Sequence, residues 1–223
     1  MEAHPLFSID AAIVDLDGTL VDTLGDFDAA LNAMLRELAQ PGISADAIKP
    51  MVGRGSEHLI ARVLAHVGAP ASLYDAAWGA YQRHYAVING EHSRVYAGAA
   101  EGLAMLYERG VRLACLTNKP GELARQLLAA KQLAKFFDVV NGGDAFERKK
   151  PDPMPLLRTC EALHTTPQRT LMIGDSSNDA QAARAAGCPV VLVTYGYNHG
   201  EPVRAVDADA FADSLAEVAA MVV

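Results

Sequence analysis

Little in this sequence points to secretion, a membrane or a nucleic acid. Its three cysteines, Cys115, Cys160 and Cys188, lie far apart, are odd in number and show no C-x-x-C spacing. That argues against a disulfide framework and predicts reduced thiols in a cytoplasmic setting. No apolar run approaches the ~20 residues of a membrane-spanning helix. The opening MEAHPLFSID has neither a basic start nor a long apolar stretch, so no export signal and no membrane partner is expected. Positive charge is scarce: 19 Lys and Arg against 27 Asp and Glu leave a net charge of −8, which disfavours nucleic acid as a partner. A small anionic substrate remains open, because it answers to a local site. The seven histidines offer no metal pattern, His58 and His66 being eight apart and His84 and His92 straddling a break. No fixed-period repeat and no low-complexity tract is present.

What the 223 residues do contain is enough apolar sequence for a substantial core, as one domain with an insertion or as two modest domains. The chain opens with an apolar run at 11–14 that predicts a buried strand. Residues 22–39, 44–52, 57–67 and 72–88 then carry apolar positions at helical spacing, broken at Pro41-Gly42, Gly53-Arg54-Gly55, Gly68 to Pro70 and Asn89-Gly90. Some seventy residues pass without a convincing strand, which is long for one crossover and predicts an inserted helical module. After Val95 the rhythm changes. Apolar strands at 111–116, 137–140, 170–173 and 189–193 alternate with helices at 99–109, 121–131, 155–163 and 179–186, and a weaker strand near Ala210 precedes a last helix. This pattern predicts an α/β fold: a doubly wound, Rossmann-like parallel sheet with helices on both faces.

In such sheets ligands bind beyond the carboxyl ends of the strands, and here those ends are chemically loaded. The first strand runs into Asp15-Leu16-Asp17-Gly18-Thr19. Residues two apart on an extended chain share a side, so Asp15 and Asp17 can face one centre while Leu16 turns away. Two like charges this close need a cation, a proton or strong donors, although Asp and Gly are also ordinary turn residues. The second core strand ends in Thr117-Asn118, a hydroxyl and an amide suited to phosphoryl oxygens or to simple capping. Lys149-Lys150-Pro151 follows the next strand; Pro151 restricts its predecessor, which favours Lys150 as the site lysine. Gly174-Asp175-Ser176 ends the fourth, with Asp179 one helical turn on. Asp175 with Asp15 would give the all-oxygen set that Mg²⁺ prefers, while Asp179 fits a metal or a helix N-terminus equally well.

The order DLDGT at 15–19, TN at 117–118, KP at 150–151 and GDSSND at 174–179 resembles the haloacid dehalogenase-like superfamily over the whole chain. The resemblance implies a core of residues 1–23 and 95–223 with a helical cap domain at 24–94. It further implies that Asp15 attacks phosphorus to form an aspartyl phosphate and that Asp17 protonates the leaving oxygen and then activates water. Mg²⁺ would be held by Asp15, the Asp17 backbone carbonyl and Asp175, with Asp179 in or beside that set. Gly18, Thr117, Asn118 and Lys150 would bind phosphate, Thr117 and Lys150 also assisting catalysis.

Within the superfamily, Asp17 argues against halide displacement and carbon–phosphorus cleavage. LTNKP at 116–120 and TYGYNHGE at 194–201 resemble phosphoglycolate phosphatases, which implies 2-phosphoglycolate as substrate. Sugar phosphomutases keep both acids and stand as the enzymatic alternative, and a phosphate-sensing module as the non-enzymatic one. Arg54, between two glycines in the cap, is the candidate for a substrate carboxylate or else a solvated loop residue. Lys119 assists it or faces solvent. The aromatic set from Tyr74 to Tyr85 is expected to pack the cap. A small phosphomonoester is the expected partner, and the chain is expected to be a monomer or small homo-oligomer.

Overall fold

In the computed structural model, which describes residues 6–223, β1 (Ala11–Val14) is buried on both faces and the other elements are laid out from it. The first five residues of the expected core segment, and of the stretch read for an export signal, lie outside those described. β1 pairs in parallel with β4 (Arg112–Leu116) on one side and β6 (Thr170–Gly174) on the other. β5 (Val139–Asn141) extends the sheet beyond β4. β7 (Val190–Val193) and β8 (Ala210–Ala212) extend it beyond β6, giving the order β5-β4-β1-β6-β7-β8 with every pairing parallel. The chain winds outward from β1 to β5, returns, and winds outward the other way from β6. Its reversal therefore sits at β1 and its neighbours, where a doubly wound sheet opens a crevice.

Side-chain alternation on these strands separates two cores. Ala12, Val14, Leu113, Cys115, Leu171 and Ile173 face α5 (Ala99–Glu108), α6 (Gly121–Ala130) and α9 (Leu215–Ala220). Ala11, Ile13, Ala114, Leu116 and Met172 face α7 (Met154–Ala162) and α8 (Ser177–Ala186). A strand covered on both sides must be apolar at every position, and β1 is. α8 meets the sheet with Ala180, Ala182, Ala183 and Ala186, whose small side chains let the helix approach closely.

Helices α1 (Leu24–Glu37), α2 (Ala45–Ile48), α3 (Ser56–His66) and α4 (Tyr74–Ile88) gather a separate apolar cluster. Phe27, Ala30, Leu31, Met34 and Leu35 form one stripe of α1 at spacings of three and four, and Tyr81 and Tyr85 of α4 stack against each other, Tyr85 also against Phe27. α1 begins two residues later than its periodicity suggests, because Val21–Asp22 forms β2, which pairs antiparallel with β3 (Arg94–Val95). This two-stranded ribbon, absent from the sequence expectation, joins the entry and exit of the helical insertion. Buried Asp26 fastens the same neck by accepting from the backbone N–H groups of Gly90 (2.8 Å) and His92 (2.7 Å). No helix among the described residues is long and apolar enough to cross a membrane.

Candidate active site

The turn after β1 sets the first two acids. Asp15 N–H continues the ladder to Ile173 O (2.9 Å), so Asp15 is held at the sheet edge beside β6. Leu16 points the other way, fully buried in the α5/α9 core, and its carbonyl accepts from the N–H groups of Leu20 and Val21 to close the turn. Asp15 Oδ1 accepts from Leu16 N–H at 2.8 Å. Gly18 takes φ +86°, and a Cβ there would lie 2.6 Å from Asp175 Oδ2, so the turn needs glycine for conformation and for space. The Asp17 carbonyl accepts no hydrogen bond from the described residues.

Three strand ends bring a buried cluster together. Asp15, Asp175 and Asp179 each place a carboxylate oxygen within 4.8 Å of the others. Lys150, almost fully buried, donates to Asp179 Oδ1 at 2.7 Å and to Leu116 O at 2.8 Å, and stands 3.0 Å from Asp15 Oδ1. Its neighbour Lys149 instead reaches out to Glu57 of α3 at 2.9 Å. Asp175 is fixed by Thr19 Oγ1 on one oxygen (3.0 Å) and by the N–H of Tyr197 on the other (2.7 Å). Asp179 uses Oδ2 to accept from Ser176 N–H and Oγ, closing a capping box at the start of α8. Both readings of Asp179 therefore meet in one residue: it lies in the acid cluster, yet its oxygens already serve the helix end and Lys150.

Burial dominates the electrostatics. It pushes the Asp15 carboxyl up to about 8 against the pull of Lys150, and the Asp175 carboxyl up to about 7 with help from the charge of Asp179. Lys150 moves the opposite way, upward, because the attraction of Asp15 and Asp179 outweighs its desolvation. One lysine does not neutralise three acids. The excess negative charge, confined to hard oxygen donors, fits a divalent cation such as Mg²⁺. Asp15, Asp175 and the Asp17 carbonyl are the groups with capacity to hold it.

On the β4 side, Thr117 Oγ1 accepts from Lys119 N–H at 3.2 Å. The Asn118 side chain is occupied in a way its sequence position does not reveal. Its amide donates to Lys150 O (2.9 Å) and to Gly53 O of the helical insertion (3.0 Å), and its oxygen accepts from Lys150 N–H (3.1 Å). What Asn118 leaves toward the site is its backbone N–H, which has no backbone partner among the described residues. Gly53 O also accepts from Asn178 Nδ2 at 3.0 Å, so two core amides clasp one carbonyl of the insertion. Asn178 gave no sequence signal beyond its place in GDSSND.

At two further positions the structure separates the alternatives the sequence left open. Arg54 is exposed and does not line the cleft; Gly53, Gly55 and Ser56 from its loop do. A flanking pair of glycines at φ +109° and +88° turns the backbone inward and leaves the side chain outside. Lys119, in contrast, does not face solvent. Its Nζ is buried, 3.3 Å from Asp17 Oδ1, hydrogen-bonded to Tyr85 Oη, and over the rings of Tyr85 (4.5 Å) and Phe27 (5.0 Å). The cleft between Asp15, Asp17, Thr117 and Lys119 and the wall of Phe27, Leu59, Tyr81 and Tyr85 is a small cavity of about 30 Å³. Tyr197 connects the cluster to the start of the insertion. Besides its N–H on Asp175, its hydroxyl accepts from Thr23 N–H (2.8 Å) and donates to Asp22 Oδ1 (2.8 Å), tying the acid cluster to the β2 neck. His199, in the same loop, packs against Gly53.

The family model of haloacid dehalogenase-like hydrolases matches residues 12–193. A phosphoglycolate phosphatase from Thiobacillus denitrificans is 43% identical over 225 aligned positions, covering 100% of this chain and 99% of that protein. Its counterpart from Nitrosospira multiformis is 44% identical over 222 positions and covers 98% of each. Among solved structures, that of a predicted phosphoglycolate phosphatase from Haemophilus somnus superposes with a TM-score of 0.88 at 30% identity, over 94% of this chain and 96% of that one.

Proposed function

The chain belongs to the haloacid dehalogenase-like hydrolase family, and from that premise we propose that it is a Mg²⁺-dependent phosphatase converting 2-phosphoglycolate to glycolate and phosphate. The class is a phosphoric monoester hydrolase similar to phosphoglycolate phosphatases. The observation that carries the mechanism is the cluster of Asp15, Asp175, Asp179 and Lys150 at adjoining strand ends, with Asp17 set apart from it beside Lys119. Asp15 and Asp175 with the Asp17 carbonyl would hold Mg²⁺, which when bound offsets phosphoryl and carboxylate charge. Asp179 orients Lys150 toward the phosphate rather than adding a ligand.

In the first half-reaction a carboxylate oxygen of Asp15 attacks phosphorus. The bond to the ester oxygen breaks, that oxygen takes a proton from Asp17, and glycolate leaves an acyl phosphate on Asp15. In the second, Asp17 takes a proton from water as the water oxygen attacks phosphorus, and Asp15 departs as a carboxylate with inorganic phosphate formed. Lys150, the N–H of Asn118 and the Thr117 hydroxyl stabilise the charge on the transferring group. The 24–94 insertion acts as the cap: it covers the cleft, excludes water in the first step and bounds the organic part of the substrate.

Phosphate release with Mg²⁺ over a panel of 2-phosphoglycolate, β-glucose 1-phosphate, pyrophosphate and nucleoside monophosphates tests this. Preference for 2-phosphoglycolate supports it. Isomerisation of the sugar phosphate would establish the mutase instead, and inertness toward every ester would leave the sensor.

A further inference from the structure

We infer that Lys119, and not Arg54, selects the substrate, by pairing its ammonium with a carboxylate one carbon removed from the ester carbon's oxygen. The inference rests on the phosphatase reading and names the group that sets its specificity. The cleft is lined by two acids, Asp15 and Asp17, and by one cation, Lys119. All else on its wall is apolar, aromatic or neutral. A buried ammonium carries three donors, and the protein engages two of them, one on Tyr85 Oη and one on Asp17 Oδ1 at the long distance of 3.3 Å. The faces of Phe27 and Tyr85 stabilise the cation without consuming a donor. Lys119 thus retains capacity for an anion inside the cleft.

Position makes that anion specific. Asp17 protonates the ester oxygen, so this oxygen lies within hydrogen-bond reach of the Asp17 carboxylate. In a phosphorylated 2-hydroxy acid the carboxylate oxygens lie about 3 Å from that ester oxygen, by ordinary bond lengths. An ammonium 3.3 Å from Asp17 Oδ1 and lining the same cleft is within reach of such a carboxylate. Esters of neutral alcohols offer it nothing, and a small cleft walled by Leu59, Tyr81 and Tyr85 suits a leaving group of few atoms. The ligand class is therefore a phosphate ester of a short 2-hydroxy carboxylate. Arg54, outside the cleft, cannot supply this contact without a rearrangement of its loop.

The test compares kcat/KM for 2-phosphoglycolate and for 2-hydroxyethyl phosphate, which replaces the carboxylate by an alcohol. It uses the wild type, Lys119→Met, Lys119→Gln and Arg54→Ala, with thermal unfolding to confirm folding. Lys119→Met matches the stem and suits the aromatic neighbours; Lys119→Gln keeps a donor for Asp17 should the first variant not fold. The expected result is a wild-type preference for the carboxylate ester that falls about 30-fold or more in either Lys119 variant, the usual scale for truncating one side of a buried charge pair. It falls far less in Arg54→Ala. If both substrates lose rate equally, with the preference intact, Lys119 only orients Asp17 and the inference is overturned. A wild type that hydrolyses both esters equally overturns it while leaving a phosphatase. A wild type inert on both removes the underlying reading as well.

Discussion

Gly196→Ala would disturb the proposed cation site without substituting any of its acids. Gly196 lies against Asp175, and a Cβ placed on its backbone would stand 2.2 Å from Asp175 Cβ, 2.4 Å from Oδ2 and 2.5 Å from Cγ. Carbon atoms rest about 3.5 Å apart, so either Asp175 or the 195–197 backbone must retreat by more than about 1 Å. The backbone cannot retreat freely. Tyr197 N–H is bonded to Asp175 and its hydroxyl is bonded to Thr23 and Asp22, so retreat of the loop breaks contacts to the β2 neck of the insertion. The carboxylate cannot retreat freely either, because Thr19 holds its other oxygen and Gly18 leaves no slack behind it. Overpacking of this kind costs about 1–3 kcal/mol of stability, which for a chain of this size lowers the melting temperature by about 2–4 °C per kcal/mol. A displacement near 1 Å at a reacting site costs about 10²-fold in rate. The assay is phosphate release against Mg²⁺ concentration beside thermal unfolding: half-saturation should rise, turnover fall about 10²-fold and the melting point drop. Gly79→Ala, inside α4 with only Arg83 Nη1 at 3.4 Å from the added carbon, gives the contrast and should stabilise by about 0.5–1 kcal/mol. A Gly196→Ala enzyme with wild-type Mg²⁺ dependence and melting point would refute the reasoning.

Asp15→Asn should abolish phosphate release without lowering the melting point, since it removes the proposed nucleophile and a buried like charge together; near-normal release would sink the assignment. Lys150→Met leaves Asp15 and Asp179 without their shared cation and should cost about 3–5 kcal/mol by urea unfolding; a smaller loss at pH 5 than at pH 8 would show the acids taking up protons instead. Metal removal should be pH-dependent. Asp15 and Asp175 titrate near 8 and 7 in the folded chain and near 4 when unfolded. The folded state therefore binds more protons, and their stabilisation, full below about pH 4, is lost as pH rises through 7 and 8. With chelator the melting point should fall from pH 5 to pH 8, and the gain from added Mg²⁺ should be larger at pH 8; a gain independent of pH would contradict the burial of these carboxyls.

The sequence by itself determined what depends on short periods and on strand ends. The doubly apolar β1, the alternating helices and strands after Val95, and the four helices between the first two core strands follow from patterns a few residues long. So does the separation of Leu16 from its flanking acids, because alternation on a strand needs no knowledge of the rest of the fold. The ribbon of β2 and β3 was not legible: two residues on each side give no period, and its partners are about seventy positions apart. The tertiary structure alone decided which polar side chains enter the cleft. Lys119 and Arg54 both stand in turn-like stretches with nothing local to separate them, yet Tyr85 of α4 and Phe27 of α1 close over the first while positive-φ glycines expose the second. Asn118, Asn178 and Tyr197 were assigned to latching by carbonyls and acids from distant segments, Gly53, Asp22 and Asp175. Local sequence places chemistry at a strand end, where backbone geometry is repetitive. Whether a side chain then meets substrate, metal or a closing cap depends on contacts made over long sequence separations, and those exist only once the sheet and insertion have packed together.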